Sequence, residues 1–319
     1  MELLGSAGFL LSFGSDVSAD GSVVVGGLDV SGPVTSAPVP YSPPFRWSGG
    51  VMTPLDVPDP DLSSGNAASA VSSDGSVVVG QLASGGEQAF RWEAGVTTGL
   101  GVLPGGYSSA ATDVSANGEV VVGTAISGEF ARVAFLWSDG VMSSLALPDD
   151  VSNSEAFAVS ADGQFVVGRM TRGAAQYPYG EAFRWSEGEV LGLGYLADLG
   201  IESLSVATGV SGDGSVVIGS SYTGTPGSSS AAFVWTESAG MQPLLQVLLE
   251  NGATGLEGWQ LLDGNGISTD GRWIVGYGIN PDGEGESFLA NISVPEPSAA
   301  WLLGSALAVV ACVRRRIAG

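Results

Sequence analysis

The chain has 319 residues, of which 44% are hydrophobic and 13% are charged, so it can bury a substantial core and is not expected to be disordered. Ten arginines, no lysine and 33 acidic residues give a formal net charge of −23, which argues against nucleic acid as a partner. Histidine is absent and the single cysteine, Cys312, lies in the last apolar stretch. Catalysis by histidine, lysine or a thiol is therefore excluded, and no cofactor is expected.

One pattern of ten residues recurs six times along the chain. Its first copies are Val17-Ser-Ala-Asp-Gly-Ser-Val-Val-Val-Gly26, Val71-Ser-Ser-Asp-Gly-Ser-Val-Val-Val-Gly80 and Val114-Ser-Ala-Asn-Gly-Glu-Val-Val-Val-Gly123, and the others begin at Val159, Val210 and Ile267. The glycines of the turns are spaced 43 to 57 residues apart. Such a period is typical of a propeller, a solenoid or a similar array.

Each repeat carries the signals of four short strands. The Asp-Gly or Asn-Gly dipeptide between β-branched residues predicts a tight hairpin between a first and a second strand. Runs such as Val23-Val24-Val25 do not alternate with polar residues, which predicts that the second strand is covered on both faces. A Phe-x-Trp motif marks the third strand, and a stretch that ends in leucine marks the fourth: Phe45 to Trp47, Phe90 to Trp92, Phe135 to Trp137, Phe183 to Trp185 and Phe233 to Trp235, with Leu55, Leu100, Leu145 and Leu193.

Six units of four strands predict an all-β fold, a six-bladed β-propeller over residues 1–290, with a β-solenoid as the alternative. The sixth unit lacks a fourth strand, and Leu4-Gly5 resembles the fourth-strand sequence Leu100-Gly101. We therefore expect an N-terminal strand to complete the last blade. The leucine-rich segment from Gln242 to Glu250 predicts a short helix after the fifth blade.

The repeats resemble the HAF family of extracellular repeats, which share a Ser-x-Asp-Gly turn, an apolar strand that ends in glycine and a Phe-x-Trp strand. The resemblance covers nearly all of residues 1–290 and is closest in the last unit, at Trp259-Gln-Leu-Leu, Gly266-Ile-Ser-Thr-Asp-Gly-Arg-Trp-Ile-Val-Gly276 and Asn280-Pro-Asp-Gly-Glu-Gly-Glu-Ser-Phe-Leu-Ala290. It implies an extracellular repeat domain and carries no assigned activity.

The C-terminal tail resembles a PEP-CTERM sorting signal. The motif Val294-Pro295-Glu296-Pro297 is followed by 16 largely apolar residues and then by Arg314, Arg315 and Arg316. The resemblance implies an exosortase, a membrane enzyme, as the processing partner, in bacteria that often make exopolysaccharide. It divides the tail into a linker with the motif (291–297), a transmembrane helix (298–313) and a basic cytoplasmic tail (314–319).

Physical chemistry supports the same division of the tail. Sixteen helical residues span about 24 Å, slightly less than the hydrocarbon core of a bilayer, and snorkelling arginines absorb the difference. The positive-inside rule keeps the arginines in the cytoplasm and places residues before Pro295 outside the inner membrane. Because Met1-Glu2-Leu3-Leu4 has no positively charged n-region, we expect the natural start of the chain to lie upstream.

The sequence offers few candidate residues for a binding or catalytic site. The aspartates of the turns are explained by turn chemistry, because one carboxylate per hairpin is far fewer than the oxygen ligands that calcium needs. Asp282, Glu284 and Glu286 are the better candidates for a cation, whereas Arg46, Arg91 and Arg184 either line a glycan pocket or pair with acids between blades. No catalytic residue stands out.

Two functions follow from the sequence. The first is a non-catalytic surface or matrix protein, anchored in the inner membrane before processing and then displayed at the cell surface or released, which serves a structural role or binds glycan or protein. The alternative is a propeller glycosidase or lyase that acts on exopolysaccharide through a pair of carboxylates.

Overall fold

The computed structural model describes residues 11–29, 43–57, 66–83, 87–173, 180–196, 203–223 and 230–292. In these ranges the strands form six sheets, five with four strands and one with three. The fold is an all-β, six-bladed β-propeller of antiparallel sheets, as the repeat predicts, and the solenoid alternative is wrong. The chain divides into two compact units, Met1–Gly163 and Gln164–Gly319.

The first unit contains three complete sheets and one further strand. Each sheet is a meander in which strands adjacent in sequence pair with each other. Sheet 1 consists of β1 (Leu11–Val17), β2 (Val23–Asp29), β3 (Pro44–Ser48) and β4 (Val51–Pro54); sheet 2 of β5 (Ala67–Val71), β6 (Val77–Leu82), β7 (Gln88–Glu93) and β8 (Val96–Gly101); sheet 3 of β9 (Ser108–Val114), β10 (Val121–Ile126), β11 (Arg132–Ser138) and β12 (Val141–Ser144); and β13 (Val151–Val159) is the first strand of sheet 4.

The second unit contains the rest of sheet 4, two further sheets and a helix. Its elements are β14 (Phe165–Arg172), β15 (Gly180–Ser186) and β16 (Glu189–Gly194) of sheet 4; β17 (Ser203–Val210), β18 (Val216–Thr223), β19 (Ser230–Thr236) and β20 (Gly240–Pro243) of sheet 5; the helix α1 (Leu244–Glu250); and β21 (Gln260–Ile267), β22 (Trp273–Ile279) and β23 (Gly285–Asn291) of sheet 6.

Within each unit, neighbouring sheets stack through the same pair of strands. The second strand of one sheet contacts the first strand of the next: β2 with β5, β6 with β9 and β10 with β13 in the first unit, and β14 with β17 and β18 with β21 in the second. The second strand is therefore covered on both faces, as predicted, and Val77, Val78 and Val79 are all buried. The stacked faces bury the apolar surface that an isolated four-stranded sheet would leave in water.

The predicted short helix is confirmed as α1, which begins two residues later than its sequence suggests. Gln242 pairs with Val234 in sheet 5, and Pro243 occupies the N-cap position, so the helix starts at Leu244. Leu244 and Leu248 lie four residues apart on one face and are fully buried. The helix contacts β19, β20 and β21, and it thereby joins the cores of sheets 5 and 6.

Several predictions concern residues outside the described ranges. The N-terminal strand at Leu4-Gly5, the motif from Val294 to Pro297, the span 298–313 and Arg314 to Arg316 all lie there. In the described ranges sheet 6 has three strands. None of the helices in the part of the chain that the structure describes has the length and hydropathy needed to cross a bilayer.

The Phe-x-Trp motif contributes its phenylalanines fully to the core and its tryptophans only in part. Phenylalanines at this position are completely buried in sheets 1 to 5, namely Phe45, Phe90, Phe135, Phe183 and Phe233. Trp47 and Trp235 are buried, whereas Trp92, Trp137 and Trp185 are half-buried. Each tryptophan lies two residues closer to the turn at the sheet edge than its phenylalanine, as Trp137 does in pairing with Met142, but the differences among the five tryptophans do not follow from this position.

We predict that Phe135→Ala lowers the free energy of unfolding by about 3–5 kcal/mol, because it removes a fully buried ring. Trp137→Ala should cost less, about 1–3 kcal/mol, because its ring is partly exposed to water. Urea denaturation measures both, and Val141→Ala, at a 64% exposed position, serves as the control with an effect within about 0.5 kcal/mol. A Phe135 variant as stable as the control would contradict this assignment of the core.

Candidate functional site

The repeated Ser-x-Asp-Gly turn is a small network of hydrogen bonds around one carboxylate. In the turn of sheet 2, Asp74 accepts hydrogen bonds from the Ser72 hydroxyl (2.7 Å) and from the Ser76 backbone N–H (2.9 Å) and hydroxyl (2.7 Å). The backbone N–H of Ser76, followed by the two hydroxyls, lowers the pKa of Asp74 to about 2. Asp20 has the same environment and the same lowered pKa, and in sheet 3 the amide oxygen of Asn117 takes the place of the carboxylate.

The same turns also join neighbouring sheets. The backbone N–H of Ala19 donates to the carbonyl of Ser73 at 3.0 Å, and that of Ser73 donates to the carbonyl of Ala116 at 3.1 Å. Ala116 continues the series by donating to Ala161, and Gly212 donates to Thr269 in the second unit. In these four motifs the second residue therefore links its turn to the next turn through the backbone. The turn aspartates are structural, as the turn chemistry predicts.

The turn glycine is required for a second reason besides its backbone conformation. Gly75 has a positive φ of 73°, and a Cβ atom placed on it would lie 2.4 Å from a methyl carbon of Val23 in the preceding sheet. Gly118 packs in the same way on Val77. A side chain here would both strain the turn and push the two sheets apart.

The recurring arginines of the third strand act between sheets, but not by pairing there with acids. Arg46 Nε donates to the carbonyl of Gly75 in the next sheet at 3.1 Å, and Arg91 Nε donates to the carbonyl of Gly118 at 3.2 Å. The ion pair of Arg91 is with Glu93 of its own strand. The expectation of acid pairing between blades is therefore wrong for these two residues, because the turn carbonyl of the next sheet lies where an acid was expected.

Arg184 departs from this arrangement because a phenylalanine replaces the usual valine beside it. The Arg184 guanidinium lies 4.2 Å from the centre of the Phe165 ring and 5.6 Å from that of Trp235. Its Nε is buried without a hydrogen-bond partner among the described residues. Phe165 also packs on the turn glycine Gly214, so the ring occupies the place through which Arg46 and Arg91 reach the turn carbonyl of the sheet next to theirs.

The candidate cation ligands surround an asparagine that the sequence did not single out. Asn280 is buried; its Oδ1 accepts the backbone N–H groups of Asp282 (3.0 Å) and Glu284 (2.9 Å), and its Nδ2 donates to Glu286 (3.0 Å). The amide thus holds the turn between β22 and β23. In the described ranges no three acidic side chains are grouped so as to hold a metal ion, and the structure does not bring Asp282, Glu284 and Glu286 together as one site.

Two carboxylates in the first strands of sheets 1 and 3 form brackets to the neighbouring sheets. Asp16 accepts from the backbone N–H of Val17 and from that of Val71 in β5, both at 2.8 Å. Asp113 accepts in the same way from Val114 and from Val159 of β13. Burial is the main cause that raises the pKa of Asp113 to about 7, and it raises the pKa of Asp16 as well. Both oxygens of each carboxylate are thus engaged by backbone N–H groups.

Two exposed aromatic rings lie on the loop before β9 and on the loop between β10 and β11 of sheet 3, and we call them the aromatic pair hereafter. The rings of Tyr107 and Phe130 are stacked, with centroids 5.0 Å apart and planes inclined by 11°. Tyr107 is 57% exposed and Phe130 is 76% exposed. Phe130 has a φ of 62°, a left-handed conformation that a bulky side chain rarely adopts. Two large apolar rings are therefore held together in water at the cost of backbone strain.

Short backbone contacts fix the two loops that carry the aromatic pair. The N–H of Tyr107 donates to the carbonyl of Ile126 at 3.0 Å, and that of Phe130 donates to the carbonyl of Ser127 at 2.9 Å. The loops approach so closely that a Cβ atom on Gly128 would lie 2.8 Å from the carbonyl oxygen of Gly105. The rings are thus presented on a preorganised surface.

Polar groups flank the aromatic pair. Arg132, two residues after Phe130, forms an ion pair with the buried carboxylate of Glu155, and its backbone N–H donates to the side chain of Asn153 at 3.0 Å. Glu129 is exposed on the other side of Phe130. The surface around the rings is therefore apolar at its centre and polar at its margin.

Sequence reasoning missed this surface because both rings lie in loops outside the repeated motifs, Tyr107 before β9 and Phe130 between β10 and β11. The usable signals were local, namely Pro104-Gly105-Gly106 before Tyr107 and Ser127-Gly128 before Phe130. Both predict tight loops, but neither predicts that the two loops meet. The bracketing role of Asp16 and Asp113 was also missed, since Ala70 and Ala158 fill the same position in sheets 2 and 4.

The chain matches no family profile and no curated protein. It is similar in structure to a protein assigned to TolB from Agrobacterium tumefaciens, with a TM-score of 0.50 and 14% identity, over 89% of this chain and 91% of that one. It is also similar to a prolyl endopeptidase, with a TM-score of 0.51 and 14% identity, over 78% of this chain and 38% of that one. A third similar structure is the acylaminoacyl peptidase of Pyrococcus horikoshii, with a TM-score of 0.50 and 10% identity, over 88% of this chain and 44% of that one.

These similarities show the fold alone, since the identities are 10% to 14%. The chain spans less than half the length of the two peptidases. The class to which it belongs is therefore defined by its architecture, a six-bladed β-propeller with Ser-x-Asp-Gly joints between its sheets.

We predict a pH dependence of stability that comes from Asp113. Its pKa of about 7 lies above the ordinary value of 3.8, so between about pH 4 and pH 7 the folded protein holds a proton that the unfolded chain has lost. The stabilisation that comes from the raised pKa of Asp113 is fully present below pH 3.8 and is lost as the pH rises through about 7. Through this one group the free energy of unfolding changes by at most about 1.4 kcal/mol per pH unit.

Denaturation by urea at pH 5 and at pH 8 measures this effect. The fall in unfolding free energy from pH 5 to pH 8 should be smaller in Asp113→Asn than in the wild type, because the amide does not titrate. Asp139→Asn, in an exposed turn of the same unit, is the matched control and should keep the wild-type dependence. An identical pH profile in the two variants would contradict the assignment to Asp113.

Proposed function

We propose that this chain is an exported, non-catalytic binding protein of a bacterial surface or extracellular matrix, sorted through its C-terminal tail. The observation that carries the binding role is the aromatic pair, Tyr107 and Phe130, held exposed on rigid loops. Large apolar groups exposed on a preformed surface mark sites of interaction, because folding alone would bury them. The propeller supplies the rigid scaffold on which such loops are positioned.

The sorting role rests on the order of the tail. A Pro-Glu-Pro motif at 295–297, an apolar span and three terminal arginines suit a helix that crosses the inner membrane with its arginines in the cytoplasm. We propose that an exosortase-type enzyme cleaves near this motif, after which the propeller stays at the cell surface or is released. Exopolysaccharide is the expected surrounding polymer.

The alternative, a glycosidase or lyase, requires carboxylates that are free to exchange protons with a substrate. Asp113 has the raised pKa that suits a general acid, but both of its oxygens accept backbone hydrogen bonds that bracket β9 to β13. Donating its proton to a substrate would break this bracket. The geometry therefore favours the binding function.

Fractionation of the host tests the sorting proposal. A variant that lacks residues 295–319 should leave the membrane fraction and appear as a soluble exported species, whereas Glu296→Ala should stay in the membrane as an uncleaved precursor. Arg272→Ala, which removes one positive charge from the repeat domain, is the control and should be processed normally. Mature protein that still ends in the three arginines would refute the proposal.

Retention of the purified repeat domain on the host's cell-free matrix tests the binding proposal. We expect the wild-type domain to sediment with washed matrix and to be displaced by soluble polymer extracted from it. A domain that stays entirely in the supernatant at every concentration would contradict a binding role at the surface.

A further inference from the structure

The aromatic pair combines flatness, exposure and a polar margin in one small surface. Phe130 is the more exposed ring, so the stack ends in a ring that lies mostly in water. An aromatic face carries partial negative charge and attracts weakly positive C–H groups as well as cations. The ligand must therefore offer a flat apolar face of about the size of one ring, bordered by groups that hydrogen-bond.

Charge narrows the choice of ligand. The chain carries 33 acidic residues against ten arginines, and Glu129 lies directly beside Phe130. The arginine nearest in sequence, Arg132, is paired with Glu155. Nucleotide bases stack well on aromatic rings, but their phosphates would be repelled here, and anionic polysaccharides are disfavoured for the same reason.

The small size of the aromatic pair excludes a protein or a peptide as its ligand. A stable protein interface buries about 800 Å² on each partner, far more than two rings provide, and the charged residues Glu129 and Arg132 lie within two residues of Phe130 in the sequence. Peptides in the polyproline conformation dock in grooves lined by aromatic side chains, whereas this stack stands on two projecting turns. A single sugar ring matches the dimensions.

Resting on the proposed binding function, we propose that Tyr107 and Phe130 form a stacking platform for a sugar ring of a neutral polysaccharide. The C–H face of the sugar lies on the exposed ring, and its hydroxyls meet the polar margin at Glu129, Arg132 and the Tyr107 hydroxyl. The preorganised loops reduce the entropy that binding would otherwise cost. The left-handed conformation of Phe130 is retained for the ring that it displays.

The strain at Phe130 allows binding to be separated from folding. Asparagine is well tolerated at a φ of 62°, so Phe130→Asn removes the ring while relieving the backbone. We expect this variant to unfold at the same or a higher urea concentration than the wild type. If the ring served only to hold the loops, its removal would lower stability instead.

Affinity electrophoresis of the purified repeat domain measures the binding, with gels that contain dextran, laminarin or xyloglucan as neutral polysaccharides. At least one should retard the wild type, and Phe130→Asn and Tyr107→Ala should weaken binding by about tenfold or more, because a stacked ring contributes energy of that order. Tyr195→Ala removes a ring that is 40% exposed in the second unit and is the matched control, with unchanged binding.

The outcomes separate the proposed sugar platform from the more general proposal of a surface-binding function. Retardation that persists in Phe130→Asn, or that no neutral polymer produces, overturns the sugar platform. So does binding only to a proline-rich peptide or only to a charged polymer tested in parallel. If the sugar platform is overturned but the domain still sediments with the host matrix, the surface-binding function stands without this site. If the domain does not sediment with the matrix either, both proposals fail.

Discussion

The meeting of two Ser-x-Asp-Gly turns is the contact on which each stack of sheets depends. A backbone N–H from one turn reaches the carbonyl of the next, while the glycine lets the neighbouring valine approach closely, as at Gly75 and Val23. The aspartate, as at Asp74, satisfies the turn's own polar groups and leaves the linking backbone free. The hydrophobic stacking of whole strands then follows from a joint made almost entirely of main-chain atoms.

Much of this fold is predictable because each blade repeats its local signals. The Asp-Gly turns, the valine runs and the buried phenylalanines all lie where their sequences place them, and α1 begins only two residues late. The partial exposure of Trp137 was not predictable from the motif, because Trp47 and Trp235 occupy the same register in their sheets and are buried. The aromatic pair was not predictable either, because proximity between two loops is set by the packing of a whole sheet.

The acidity of the chain is partly explained by this architecture. Two of its carboxylates are engaged in holding backbone, Asp74 in a turn and Asp113 between two strands. The two environments shift the pKa in opposite directions, since hydrogen bonds in an exposed turn favour the charge and burial opposes it. In the proposed binding function, recognition is accordingly left to side chains on the loops.

A joint built from main-chain atoms has an evolutionary consequence. Because a turn recognises its neighbour by the backbone of one small residue, such as Ala19 or Ser73, any blade with the motif can follow any other without a matched change of side chains. Gene duplication can then copy a blade, and the loop between its second and third strands can diverge freely. The loop lengths already differ widely here, from 5 residues between β10 and β11 to 14 between β2 and β3. Phe165, which lies against the Arg184 guanidinium and packs on Gly214, is one place where side chains would have to change together.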